Sequence, residues 1–150
     1  LHVEKLNQLI ERYLSVSFFV TKKAAALVKC ELDEEMTNDQ YYLLRYMSKR
    51  GVCTSTELAS AFMVNKSAIT AMTNRLVDKG LMKRTRDEND RRVVYLTLTE
   101  QGDAWLKKTE ERIHKLVESF IMKFSEQEIE SFIETYEKLA NILQELEEKA

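Results

Sequence analysis

The stretch Thr54–Leu98 reads TSTELASAFMVNKSAITAMTNRLVDKGLMKRTRDENDRRVVYLTL, and it leaves few folds open. Thr54 and Glu57 form a capping box, because each side chain can reach a free backbone N–H of the other. A short helix therefore starts there and ends near Phe62. Met63 and Val64 make a tight turn, and Asn65 caps a second helix whose apolar stripe is Ile69, Met72 and Leu76. Gly80 ends that helix, with Leu81 placed for the hydrophobic contact of a Schellman motif. Met82–Arg86 and Val93–Leu98 then read as two strands, the second rich in Val, Tyr, Thr and Leu, around the polar tip Asp87–Arg91. This order is a helix-turn-helix followed by a basic wing.

The flanks are helical. The chain has no proline and only three glycines, so it carries few obligatory helix breaks. Val3–Cys30 is one long pattern, with Leu6, Leu9, Ile10, Tyr13, Leu14, Val20, Ala24, Leu27 and Val28 at three- and four-residue spacing. An acidic connector, Glu31–Met36, follows. Thr37 and Gln40 then box a helix that runs to about Lys49 and stops at Gly51. Thr99 caps a long helix to about Lys123, and Ser125 with Glu128 caps the last one. There Ile129, Phe132, Tyr136, Leu139, Leu143 and Leu146 alternate spacings of three and four, a heptad seam. One winged domain cannot bury a seam of that length. It suggests, with the N-terminal helix, a dimer built from both chain ends. The expected fold is mainly α with a small β wing. A winged helix-turn-helix domain occupies 37–98, and 1–36 and 99–150 form a helical dimerisation region.

Net charge at pH 7 is −2, which by itself argues against a polyanionic partner. Its distribution reverses that. Lys66–Arg92 holds eight Lys/Arg against four Asp/Glu, while Ser125–Ala150 holds two Lys against eight Glu. A basic segment on an acidic chain is a local electrostatic footprint for nucleic acid. Ser67, Thr70, Ala71 and Asn74 lie opposite the apolar stripe of the second helix. They are short, so the helix can approach base edges in a major groove. Thr70 and Ala71 suit thymine methyls, Asn74 suits adenine, and Lys66 and Arg75 flank the face where phosphates would lie. The bland alternative is a solvated helix face. At the wing tip, an arginine suits a narrow minor groove, with Asp90 orienting a neighbouring guanidinium by a bidentate pair. The alternative there is an ordinary charged turn.

TELASAF, VNKSAITAMTNRLVDKGLMKR, DENDRR and VYLTLTEQG, in that order, resemble the MarR family of bacterial transcriptional regulators. The resemblance is strongest from about Thr37 to Gly102, and the outer helices are similar to the family's dimerisation arms. It implies a homodimer on double-stranded DNA, with Ser67, Thr70 and Ala71 on the recognition helix. It implies also that Asp90 and Arg92 are the wing pair whose arginine enters the minor groove, with Arg91 beside it on the backbone. Ala71 stands where many members carry a longer, often basic, side chain, so an A·T-leaning, roughly palindromic operator is expected. Family members commonly sense small aromatic or phenolic molecules between lobe and arms. Phe18, Phe19, Tyr42, Tyr46, Phe62 and Trp105 are aromatics from the right elements, and their alternative role is core packing.

Other classes find less support. Cys30 and Cys53 are too few for a disulfide framework, so a reducing cytoplasm is the default location. Peroxide-sensing relatives carry a reactive cysteine early in the first helix. Tyr13–Ser17 has none, and both cysteines are expected to be small core residues. His2 and His114 join no cluster with zinc spacing, and no metal or cofactor is expected. No phosphate-binding glycine loop, nucleophile elbow or H-E-x-x-H argues for an enzyme. A winged domain used only for protein contacts remains open. No secretory signal is visible, no apolar run reaches membrane-spanning length, and an initiator residue is expected to precede Leu1.

Overall fold

The structure, a computed structural model, describes Leu1–Ala150. In chain order it contains α1 (Val3–Cys30), α2 (Asn38–Arg50), β1 (Cys53–Thr54), α3 (Ser55–Ala61), α4 (Lys66–Asp78), β2 (Met82–Arg86), β3 (Val94–Leu98), α5 (Glu100–Ile121) and α6 (Glu126–Lys149). Two compact units share these elements, Leu1–Ile113 and His114–Ala150.

The first unit is built around α2, α3 and α4. Their inward residues Tyr41, Leu43, Leu44, Met47, Leu58, Ile69 and Leu76 are fully buried, together with Met82 of β2 and Leu96 of β3. Each helix starts where a side chain accepts from its open first turn. Gln40 N donates to Thr37 Oγ1 at 3.1 Å, Glu57 N to Thr54 Oγ1 at 3.2 Å, and Ala68 N to Asn65 Oδ1 at 2.8 Å. Met63 takes φ 55° in the turn between α3 and α4, a strained value for a side chain with a Cβ. At the end of α4, Gly80 (φ 77°) and Leu81 donate to Val77 O and Leu76 O, which is the Schellman pair.

Three details differ from the sequence expectation. Thr73, not Met72, completes the buried stripe of α4; Met72 is only half-buried. Thr73 can be buried because its hydroxyl donates to Thr70 O at 3.1 Å and leaves no polar atom unmatched. The sheet has three strands in the order β1-β3-β2, all antiparallel, since Cys53 and Thr54 pair with Leu96 and Tyr95. Two residues are too few to show an alternating pattern. Cys30 is exposed at the end of α1, whereas Cys53 is buried in β1, so the core assignment holds for Cys53 alone.

α1 buries only Val28, and leaves Ile10, Tyr13, Leu14, Phe18 and Phe19 exposed. In the second unit, Ser125 and Glu128 form the expected capping box. α6 then runs to Lys149 without one buried residue, although its apolar seam is intact and the Phe132 and Tyr136 rings stack at 5.2 Å. No helix is long and apolar enough to cross a membrane.

Candidate nucleic-acid interface

α4 is held rigidly on its inner side and is open on its outer side. Lys66, Ser67, Thr70, Ala71, Asn74 and Arg75 are all exposed, while Ile69, Thr73 and Leu76 fix the opposite face in the core. Helix rotation is thereby set by packing, and the short side chains form the outer surface. One of them is engaged. Arg84 of β2 donates from Nη2 to Asn74 Oδ1. Bidentate pairing with adenine needs both the amide oxygen and the amide N–H. Asn74 Oδ1 already accepts from Arg84, so a bidentate contact with adenine would share or displace that bond.

The wing tip is a chain of carboxylate-held turns. Asp90 Oδ1 accepts from Arg92 N and from Arg92 Nε, each at 3.1 Å, and Oδ2 accepts from Nη2 at 3.3 Å. This is the bidentate pair expected from the sequence, and it leaves the Arg92 side chain 92% exposed. The guanidinium holds the Asp90 carboxyl below its ordinary range. Arg91 is exposed beside it, and its carbonyl accepts from Arg86 Nη1 at 2.8 Å. Asp87 is the second anchor. It accepts from Asn89 N at 2.8 Å, from Asp90 N at 3.1 Å and from the Tyr95 hydroxyl at 2.8 Å. Those donors, the Tyr95 hydroxyl first, hold the Asp87 carboxyl below its ordinary range, and the same bond to Asp87 pushes the Tyr95 phenol up. Sequence reasoning singled out neither Asp87 nor Tyr95. The Asp-x-x-Asp spacing at the tip was the available signal.

An outward helix face of short side chains thus lies beside a clamped arginine on the adjoining wing. The MarR family model matches residues 36–94. The uncharacterized HTH-type transcriptional regulator YpoP of Bacillus subtilis (strain 168) is 34% identical, over 72% of this chain and 77% of its own. The chain belongs to the MarR family. It is accordingly a winged helix-turn-helix, DNA-binding transcriptional regulator and not an enzyme. Another relative, the HTH-type transcriptional repressor MdtR of Bacillus subtilis (strain 168), is 33% identical over 60% of this chain and 58% of that one. Among solved structures, Streptococcus pneumoniae FabT in complex with DNA matches with a TM-score of 0.74 and 29% identity, over 93% of this chain and 99% of that chain.

Only some of the aromatics expected to meet a ligand in a MarR-family fold come together. Tyr42 and Tyr46 of α2 and Phe62 after α3 line one open depression of about 350 Å³ with Arg45 and Lys49. The Tyr46 ring meets Phe62 edge-on at 5.7 Å and carries the Arg50 guanidinium 5.0 Å from its centroid. Phe18 and Trp105 do not line it. Phe18 is exposed on α1 with the Lys22 ammonium 5.9 Å from its ring, and Phe19 carries Lys23 in the same way at 5.6 Å. The Trp105 indole donates to Asp33 Oδ2 at 2.7 Å. The cations were missed because Arg45 and Lys49 read as ordinary polar positions of an amphipathic helix. Arg45 also reaches Glu110 of α5 at 2.6 Å, and the buried Tyr41 hydroxyl donates to the same carboxylate at 3.2 Å. Burial first, and the Glu110 charge second, push the Tyr41 phenol up to about 12.

The two cysteines separate cleanly. Burial, reinforced by the Glu57 charge, raises the Cys53 thiol above its ordinary value. The thiolate is the reactive form, so burial and the raised thiol both disfavour reaction at Cys53. In the folded protein at neutral pH, iodoacetamide is expected to leave Cys53 unmodified until the chain is denatured. Mass spectrometry of digests quenched over time reads this directly, and rapid native labelling of Cys53 would show that β1 opens freely.

Proposed function

We propose that this chain acts as a homodimeric repressor on a roughly palindromic, A·T-leaning operator and releases it when a small aromatic ligand binds. The observation that carries the reading is the outward face of α4 beside the Asp90-clamped Arg92. Ser67, Thr70 and Ala71 would meet base edges, Asn74 would add N–H donors, and Lys66, Arg75 and Arg91 would meet phosphates. Arg92 would enter the minor groove, where negative potential is strongest over A·T pairs. The exposed apolar residues of α1 and α6 support a second copy of the chain as partner, which would place two α4 helices in major grooves about 34 Å apart. The relative MdtR, named a repressor, supports the sign of regulation. Such a protein works beside the chromosome, in the cytoplasm.

The depression at Tyr42, Tyr46 and Phe62 supports an aromatic ligand, and Lys49 in its lining favours one carrying an acid group, Arg45 being paired with Glu110. Release needs that ligand to bind better when the lobes are misplaced for DNA. The test is selection of genomic fragments on the purified protein at about 150 mM salt, where specific and unspecific binding separate. Enrichment of one palindromic site supports the proposal, and a flat salt response with no enriched site would favour a protein-contact role instead. On the enriched site, Arg92→Ala is expected to bind about 10- to 100-fold more weakly, the loss of a charged contact in each half-site. Its circular dichroism and melting should not change, because Arg92 is fully outside the core. Unaltered affinity would remove the minor-groove role.

A further inference from the structure

The tip of the wing, residues 87–93, reads DENDRRV and contains neither glycine nor proline. A turn without either has no backbone preference of its own to hold it, and side chains must supply the constraint. Asp87 supplies it at one end, taking the backbone N–H groups of Asn89 and Asp90 on Oδ1. Asp90 supplies it at the other, taking Arg92 N and the guanidinium. The two turns are in series, so the direction of Arg92 depends on where Asp87 is fixed. Asp87 is fixed by the sheet. Its Oδ2 accepts from Tyr95 Oη at 2.8 Å. Tyr95 lies in β3, the central strand, paired with Thr85 of β2 on one side and Thr54 of β1 on the other.

We infer that Tyr95 is a positioning residue for DNA binding, whose hydroxyl anchors Asp87 and through it sets the wing turn that presents Arg92. Two physical effects follow from the same bond. It ties the wing tip to the central strand of the sheet, so less order remains to be imposed when the wing meets DNA. It also keeps an acceptor oxygen of Asp87 occupied, so that this carboxylate does not compete with Asp90 for the Arg92 guanidinium. The inference rests on the proposed minor-groove role of Arg92, and the test separates the two.

The variants are Tyr95→Phe, which keeps the ring in the sheet, Asp87→Ala as an independent break of the same link, Arg92→Ala, and each combined with Arg92→Ala. The probe is the duplex that the unaltered chain enriches from genomic fragments. Tyr95→Phe is expected to weaken binding roughly 3- to 10-fold, the range of one hydrogen bond lost per wing, and Asp87→Ala at least as much. In the Arg92→Ala background both losses should shrink to less than about twofold, because the hydroxyl acts through that arginine. A purely structural role would not show this coupling. Losses that simply multiply with that of Arg92→Ala would overturn the inference, as would full affinity in Tyr95→Phe while Arg92→Ala is weak. Full affinity in Arg92→Ala itself would instead overturn the minor-groove reading on which the inference stands.

Discussion

Leu143→Glu is expected to convert the proposed dimer to a monomer and to weaken operator binding by two to four orders of magnitude, with the winged domain still folded. Phe132, Tyr136, Leu143 and Leu146 of α6 are 55%, 58%, 52% and 60% exposed, and no residue of that helix is buried. Such a row stays in water unless a second surface covers it. Leu139, at the middle of the seam, is already half-buried, so a change there would disturb its own chain as well. Leu143 is the cleaner position. A glutamate there would enter the interface without a partner, at a cost of about 3–5 kcal/mol, on a helix already rich in glutamate. A monomer keeps one recognition helix and loses the second half-site. Linking two modules can raise affinity about 10²- to 10⁴-fold, and that factor should disappear. Sedimentation equilibrium reads the mass and operator titration reads the affinity. A variant that remains dimeric would exclude the α6 seam as the interface.

The winged domain was legible because its signals are local. Capping boxes at Thr37/Gln40, Thr54/Glu57 and Ser125/Glu128, the Asn65 cap and the Gly80 stop each act within one helical turn, and each is realised. The 28 residues of α1 were bounded correctly because no proline or glycine interrupts them. What escaped was set by distant partners. β1 exists because β3 offers it a free edge, a fact that Cys53 and Thr54 do not carry in themselves. Thr73 lies outside the apolar stripe read from the sequence, because its hydroxyl needs a partner to be buried. A backbone carbonyl one turn back satisfies it.

The proposed DNA face divides along the same line. The exposed short residues of α4 follow from helical phase alone, and Asp90 and Arg92 are near neighbours in sequence. The engagement of Asn74 by Arg84, ten residues on, depends on how β2 lies along α4. The aromatics proposed to meet a ligand were the least legible. Tyr42 and Tyr46 share one face of α2 by their spacing, and Phe62 joins them through the packing of α3. Phe18 and Trp105 were chosen for residue type without a spacing argument, and they fall elsewhere.

Gly102→Ala is expected to cost about 3 kcal/mol, a fall of roughly 10 °C in melting temperature. A Cβ at this position would sit 2.0 Å from Leu81 O and 3.0 Å from Leu81 C, both backbone atoms. Neither side of the contact can yield alone. Leu81 O accepts from Thr99 N at 3.1 Å, while Leu81 N donates to Leu76 O to close α4. Thr99 Oγ1 donates to Gly80 O at 2.6 Å and accepts from Gly102 N at 2.9 Å, so the start of α5 is fastened to the end of α4. A methyl group at Gly102 must either break this junction or shift the first turn of α5. Gly51→Ala is the matched control. There an added Cβ meets nothing within 4 Å, and only the positive φ of 84° opposes it. With ψ at −110° Gly51 lies outside the left-handed helical well, and strain of this kind is worth about 1–3 kcal/mol. Thermal unfolding of both variants beside the unaltered chain compares steric overlap with backbone strain. If Gly102→Ala melts no lower than Gly51→Ala, the junction between α4 and α5 is soft, and the placement of β2 and the wing would have to come from the sheet alone.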